Sequence, residues 1–197
     1  MSLVVEIASL FACSGDSQYG GEAVSQREHA LQCALLAEQN DASPALITAS
    51  LLHDIGHLLH DLPADSPDKG IDDHHENSGY HFLRQRFNSD VSEPVRLHVA
   101  AKRYLCTVDE NYESQLSEPS RISLRLQGGK MSAQELDAFR VNPHWPAAVE
   151  LRYWDDMAKV AMLPTPSIEH FLNYVAAAAA TEKPCLKSAS GTIPLPH

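Results

Sequence analysis

Apolar residues recur at helical spacing through most of the chain, whereas sustained alternation of apolar and polar residues, which is typical of strands, does not occur. Ser25 and Glu28 form a capping-box pattern that begins one helix, and Ser43 followed by Pro44 begins the next. The segment SRISLRLQGG predicts a short helix that ends at its two glycines. The pattern therefore predicts an all-α fold in which about seven or more helices pack as an irregular bundle.

The helix that begins at Ser43 is predicted to continue to about His60, and its second half, LLHDIGHLLH, is apolar except for three histidines and one aspartate. A carboxylate loses its hydration on burial, so Asp54 needs partners in such a segment. A hydrogen-bonded structural pair with His53 is one solution, since His-Asp dipeptides often arise by chance. A metal ion is the other, because imidazole and carboxylate are good ligands for Zn, Mn and Fe.

Further potential ligands lie on or beside other predicted helices. His29 lies in the first turn of its helix, and His75 lies where a loop rich in Pro, Asp and Gly meets a helix. A helix predicted to begin at Ser92 carries His98, and a later helix carries Asp155. Four histidines and two carboxylates could therefore share one centre: His29, His53, Asp54, His75, His98 and Asp155.

A centre of this composition could hold more than one ion. A carboxylate has two oxygens, so Asp54 could bridge two metals about 3.5 to 4 Å apart. The residues alone leave two positions open, because His74 precedes His75 and Asp156 follows Asp155.

Composition limits the kind of ligand. With 197 residues, 44% of them hydrophobic, the chain suits one domain. Its formal net charge of -11, from 26 acidic and 15 basic residues, argues against a nucleic-acid partner. A phosphate-bearing ligand is expected to be small and held by a few local cations, such as Lys102, which follows His98 by one helical turn.

The two ends of the chain and its cysteines indicate no membrane partner and no thiolate site. The apolar stretch near the N-terminus is short and broken by Glu6, so it predicts neither a signal peptide nor a membrane span. The four cysteines form no C-x-x-C pair, which is typical of a reduced, cytoplasmic protein. We expect one domain over residues 1–180 and a disordered tail over 181–197. The oligomeric state is not readable from the sequence.

The order and spacing of the potential ligands resemble the HD-domain superfamily of metal-dependent proteins, whose pattern is a His, a His-Asp pair and a late Asp. His75 and His98 resemble the additional ligands of its dinuclear branch. Within that branch, residues 15 to about 180 are most similar to the mixed-valent diiron oxygenases that cleave organophosphonates. The similarity extends to the segments YGGEAVSQREHA, HDIGH, SRISLRLQGG and LRYWDDMAK.

The resemblance implies roles for residues beyond the ligands. It implies a pair of iron ions, Fe(II) and Fe(III), held by the six ligands named above, with Asp54 as the bridge. It assigns catalytic roles to Tyr19, Glu22, His57 and Lys102. The group it assigns to substrate binding is Glu22, His57, Lys102, Ser120, Ser123 and Arg152. The residues themselves allow other roles, because Arg152 can pair with an aspartate of its own helix and serines often cap helices.

The resemblance also implies a reaction. The substrate would be a 1-hydroxy-2-aminoethylphosphonate whose amine is either free or trimethylated, with its ammonium facing Glu22. Its hydroxyl and a phosphonate oxygen would reach one iron and displace Tyr19. With O2 as co-substrate, hydrogen would leave the hydroxyl-bearing carbon and the C–P bond would break. The products would be phosphate and either glycine or glycine betaine.

Three other functions remain open from the sequence. A dinuclear phosphohydrolase would use the same ligands to activate water but would not need Tyr19. Ring cleavage of an inositol-type substrate also occurs in the superfamily. A metal-binding regulatory module is the non-enzymatic alternative, although no second domain or long partner-binding segment is visible.

Overall fold

The computed structural model describes residues 2–59 and 74–180, and within these ranges the chain forms eleven helices and no strand. The predicted all-α class is therefore confirmed. The predicted tail, 181–197, lies outside the described residues. The helices are α1 (Leu3–Ser14), α2 (Gln26–Gln39), α3 (Pro44–Leu52), α4 (Ile55–Leu58), α5 (His75–Leu83), α6 (Ser89–Val108), α7 (Tyr112–Gln115), α8 (Glu118–Leu126), α9 (Ala133–Val141), α10 (Trp145–Met157) and α11 (Ile168–Ala180).

Several helix starts follow the predicted caps. The Ser25 hydroxyl accepts from the Glu28 backbone N–H, and the Glu28 carboxylate accepts from the Ser25 N–H, which completes a capping box at α2. Ser43 caps α3, and α8 is followed by two glycines with positive φ. These contacts join residues no more than four apart, and they are therefore readable from sequence.

Two helix boundaries differ from the prediction. α6 begins at Ser89 and not at Ser92, because the Asn88 side chain accepts from the Asp90 N–H and caps the helix earlier. Pro94 then lies inside α6, where it lacks an N–H for the helical ladder. α1 was not predicted; it buries Ile7 and Phe11 and packs against α11.

The most consequential difference lies in the histidine-rich segment. The predicted continuous helix ends at Leu52, and a short helix resumes at Ile55, so His53 and Asp54 occupy the break between α3 and α4. Asp54 has φ -102° and ψ 15°, outside helical values. Adjacent residues on a regular helix point about 100° apart. The break frees both side chains to face the same interior point.

Two groups of buried apolar residues surround that point. The larger lies mainly on α2, α3, α10 and α11, and the smaller joins α6 to α7, α8 and α9. α6 and α10 contact each other closely and contribute to both groups. Among the described residues, no helix combines the length and the apolar character needed to cross a bilayer.

Candidate metal centre

Two imidazoles, one on α2 and one in the break between α3 and α4, face each other at the centre of the fold. The Nε2 atoms of His29 and His53 lie 3.0 Å apart, and both rings are fully buried. The Nδ1 of His29 lies 2.8 Å from the carbonyl oxygen of Ala158, and that of His53 lies 2.8 Å from the carbonyl oxygen of Ser50. A carbonyl only accepts, so each Nδ1 carries the hydrogen and a neutral ring has a bare Nε2. In the neutral rings two lone pairs would converge, an arrangement that suits a bound cation.

A second pair of imidazoles repeats this arrangement. The Nε2 atoms of His75 and His98 lie 3.1 Å apart, and the Nδ1 of His98 lies 2.7 Å from the Val95 carbonyl oxygen. Burial lowers the pKa of His98 to about 3, so its ring is neutral and available as a ligand.

Asp54 lies between the two pairs. Its Oδ2 is 3.2 Å from the Nε2 of His53, and its Oδ1 is 3.3 Å from the Nε2 of His75. Oδ1 is buried and accepts no hydrogen bond from the residues that the structure describes. Two sets of three residues, His29–His53–Asp54 and Asp54–His75–His98, thus each bring ligand atoms within 4.8 Å of one another. A buried carboxylate oxygen without a donor, beside four converging nitrogens, fits cations and not hydrogen bonds.

Asp155 joins the first pair. Its Oδ1 lies 3.4 Å from the His29 Nε2, while its Oδ2 accepts from Arg152 at 2.6 Å. Burial acts to raise the pKa of Asp155, but the Arg152 guanidinium outweighs it and holds that pKa well below the usual range. Asp156 does not reach the cluster; its carboxylate pairs with Arg152 and accepts from the Tyr112 hydroxyl. The structure thus brings Asp155, and not Asp156, to the histidines.

The structure also distinguishes His75, the first residue of α5, from His74, which precedes it. His75 is buried at the cluster, whereas the His74 side chain is 67% exposed. His57 reaches the cluster indirectly, because its half-buried ring stacks on His75 with centroids 4.1 Å apart.

Tyr19 and Glu22 reach the site from a tight turn before α2. The Glu22 N–H donates to the Tyr19 carbonyl, and the two intervening glycines have φ of 45° and 80°, which favour glycine. The Tyr19 ring stacks on His29 at 3.8 Å, and its hydroxyl lies 3.4 Å from the Asp155 Oδ1. Burial of the hydroxyl, then the Asp155 carboxylate, raises the pKa of Tyr19 well above its ordinary value.

Cations and hydroxyls form a further group between α6 and α8. The Lys102 ammonium donates to the Ser123 hydroxyl at 2.8 Å, and the Lys159 ammonium donates to the Ser120 hydroxyl at 2.9 Å. Burial, with help from the nearby Arg152 charge, lowers the pKa of Lys102 to about 7. This is a concentration of positive charge in an acidic protein, and it suits a small anion.

Arg152 and Glu22 are both engaged by protein groups. The guanidinium nitrogens of Arg152 donate to Asp155, Asp156 and the Tyr112 hydroxyl. The Glu22 carboxylate accepts from Ser117 and lies 3.4 Å from the Lys159 ammonium.

Sequence reasoning missed several residues that shape this site, namely Gln32, Gly56, Tyr112 and Lys159. Gly56 carries the clearest constraint, because a Cβ at that position would lie 2.1 Å from the carbonyl oxygen of His75. The glycine of HDIGH was its only sequence signal, since glycine often marks a close backbone approach.

Replacing Gly56 with alanine should push α5 away and displace His75, because the new methyl group meets backbone and not a flexible side chain. We expect metal content per chain to fall toward half of the wild-type value, measured by elemental analysis. Gly79→Ala is the matched control on α5, since its nearest contacts would be Ile55, the Gly56 backbone nitrogen and Val95 at 3.4 to 3.5 Å, which is ordinary van der Waals contact. Full metal content in Gly56→Ala would show that the approach of α4 to α5 does not position His75.

Comparisons with known proteins support a metal centre of this kind. The HD domain family matches residues 27–126 of the chain. That range contains the four clustered histidines and Asp54, whereas Asp155 lies beyond it.

Curated relatives cover most of the chain. A [1-hydroxy-2-(trimethylamino)ethyl]phosphonate dioxygenase (glycine-betaine-forming) of Leisingera caerulea is 43% identical over 170 residues, which are 86% of this chain and 87% of the relative. A hydroxymethylphosphonate dioxygenase of Gimesia maris is 44% identical over 169 residues, 85% of this chain and 84% of the relative. An uncharacterised protein, L432, of Acanthamoeba polyphaga mimivirus is 33% identical over 170 residues, 85% of this chain and 77% of the relative.

Proposed function

The chain belongs to the HD domain family, and from this premise we propose that it is an O2-dependent dioxygenase that cleaves the C–P bond of a 1-hydroxyphosphonate. The substrate carries an ammonium on the second carbon, either trimethylated or primary, and the products are phosphate and glycine betaine or glycine. One observation carries the proposal: the two oxygens of Asp54 face two separate pairs of converging imidazole nitrogens. The names of the two dioxygenase relatives support the same chemistry.

Six residues would hold two iron ions. His29, His53 and Asp155 surround one position, His75 and His98 surround the other, and Asp54 serves both. A mixed-valent Fe(II)/Fe(III) pair would supply the site for dioxygen activation and the Lewis acidity for a bound hydroxyl. The protein fixes the ligand rings through hydrogen bonds from Nδ1 to backbone carbonyls.

Tyr19 covers the position that His29, His53 and Asp155 surround. Its hydroxyl points at Asp155 and its ring covers His29, so it must move aside before a substrate hydroxyl reaches these ligands. A phosphohydrolase has no need of such a tyrosine, and its placement favours the oxygenase.

The phosphonate would bind on the side of the lysines and serines. Lys102 and Ser123 supply a charge-assisted donor and a hydroxyl, and Ser120 lies one turn away on α8. His57, stacked on His75, would orient the anion from the other side. Arg152 adds positive charge and, through Asp155, holds a ligand in place.

The overall reaction balances with one O2. A 1-hydroxyphosphonate and O2 together contain the six oxygens of one carboxylate and one phosphate, so both atoms of O2 enter the products. The carbon bearing the hydroxyl is oxidised to the carboxylate while O2 is reduced.

Reconstitution with Fe(II) under anaerobic conditions, followed by O2 and [1-hydroxy-2-(trimethylammonio)ethyl]phosphonate, tests the function. We expect phosphate release with about one O2 consumed per phosphate, measured with an oxygen electrode and a phosphate assay. The control is the same protein loaded with Zn(II), which has no redox chemistry and should release none. Phosphate release without O2 uptake would contradict the oxygenase and indicate hydrolytic cleavage of the C–P bond.

A further inference from the structure

The segment after α10 is held in place from both sides by α2. The His29 ring binds the carbonyl of Ala158, and the Gln32 side chain binds both backbone groups of Val160, donating to its carbonyl at 2.8 Å and accepting from its N–H at 3.0 Å. Gln32 is buried, so water does not compete for these bonds. The backbone of Lys159, which lies between these two anchored residues, is therefore held in place.

The Lys159 side chain joins two groups assigned to substrate binding. Its ammonium lies 2.9 Å from the Ser120 hydroxyl and 3.4 Å from a Glu22 carboxylate oxygen. The side chains of Lys159 and Glu22 are only 12% and 14% exposed. Charges so little exposed need partners, and removing one of them leaves the other unpaired.

We propose that Lys159 and Glu22 form an ion pair that a zwitterionic phosphonate opens by exchange. The phosphonate then pairs with Lys159, and the substrate ammonium pairs with Glu22. Through this exchange the pair selects zwitterionic phosphonates over purely anionic ones such as hydroxymethylphosphonate. The inference rests on the proposed function and adds Lys159 as a phosphonate-binding residue that is paired with Glu22 until the substrate binds.

The positions of Lys159 and Glu22 determine which end of the substrate each residue binds. Ser120, which Lys159 already contacts, lies on the same helix as Ser123, the partner of Lys102. Lys159 therefore borders the lysine–serine group, and Glu22 lies on its far side, held by Ser117. A substrate with both charges satisfies both residues. An anion alone draws Lys159 away and leaves the Glu22 carboxylate without its cation, which costs affinity.

Binding affinity under anaerobic conditions tests this exchange without turnover. We would titrate the Fe(II)-loaded protein by calorimetry with [1-hydroxy-2-(trimethylammonio)ethyl]phosphonate and with hydroxymethylphosphonate. The wild type should bind the zwitterion at least about tenfold more tightly, because breaking a buried ion pair costs at least that factor. The ratio of kcat/KM in air should follow the same preference.

Two substitutions should act differently on the preference. Glu22→Gln removes the contact to the ammonium and the stranded charge, so the preference should fall at least about tenfold. Lys159→Met should change the two affinities by a similar factor, because both phosphonates lose the same ammonium and Glu22 already lacks its cation before either binds. Lys159→Arg keeps the charge and should keep both affinities near the wild-type values. Lys130→Met, in an exposed ion pair with Glu113 at 3.3 Å, is the control and should change neither affinity.

The possible outcomes distinguish a failure of the exchange from a failure of the proposed oxygenase function. If Glu22→Gln changes both affinities by the same factor, or if Lys159→Met alone removes the preference, the exchange is wrong. If the wild type cleaves both phosphonates with O2 but shows no preference, the exchange is also wrong while the oxygenase stands. If the iron-loaded protein binds neither compound, both proposals fall. Melting temperature and iron content of each variant confirm that it is folded and loaded.

Discussion

Replacing Asp54 with asparagine should deprive the protein of both metal ions and abolish phosphonate cleavage. Each Asp54 oxygen faces a different imidazole pair, and Oδ1 has no other partner. The amide keeps the shape but offers one oxygen and no charge, so it cannot serve two cations. Mutation of a residue that only hydrogen-bonds to a metal ligand typically lowers the affinity for the metal by about 10- to 100-fold. A shared ligand should cost more than that at both positions, and elemental analysis of the dialysed protein measures the loss.

Asp137→Asn, at an exposed position of α9, is the matched control and should keep full metal content. Circular dichroism would verify that Asp54→Asn retains its helices. If Asp54→Asn keeps both ions after dialysis, Asp54 is not the bridge. Loss of one ion alone would place Asp54 at a single metal.

The sequence predicts those parts of the site that depend on contacts between residues close together in the chain. Caps such as Ser25 with Glu28 join residues three apart, so the pattern reveals them. The candidate ligands could be named from the sequence because histidines and carboxylates in otherwise apolar segments are unusual and have a chemical reason. Their mutual distances were not predictable, since His29 and Ala158 come together only through the tertiary fold.

The residues that sequence reasoning missed share the same cause. Gln32 contacts Val160 at a separation of 128 residues, and Lys159 contacts Ser120 at a separation of 39 and the still more distant Glu22. No local pattern records such contacts. The break at His53 and Asp54 also escaped prediction, because neither position is a proline or glycine and apolar spacing continues across it.

The arrangement of charges explains why an acidic chain can bind a phosphonate. The formal net charge of -11 argues against extended polyanions, but local groups dominate at short range. Burial, and to a smaller extent the nearby Arg152 charge, lowers the pKa of Lys102. A bound anion would give this buried ammonium a charged partner, which favours binding.

Replacing His98 with alanine should remove one metal ion, leave the other, and still abolish phosphonate cleavage. His98 contacts His75 and the Oδ1 of Asp54, whereas the His29–His53 pair lies at the other Asp54 oxygen. Iron content should therefore fall from two to about one per chain, while oxygen uptake with phosphonate falls to background because the reaction needs both ions. His29→Ala should remove the other ion, and the two variants together assign each histidine to its own position.

His81→Ala, at an exposed position of α5, is the control for losing a histidine from the same region, and it should keep both ions and full activity. Because His98 is buried, its loss also leaves a cavity, so His98→Asn is the second variant that limits the change in volume. A dinuclear centre requires that both substitutions give the same reduced stoichiometry. Unchanged iron in the folded His98 variants would instead indicate a single ion at His29, His53 and Asp155, and phosphonate cleavage that survived with one ion would contradict the need for the pair.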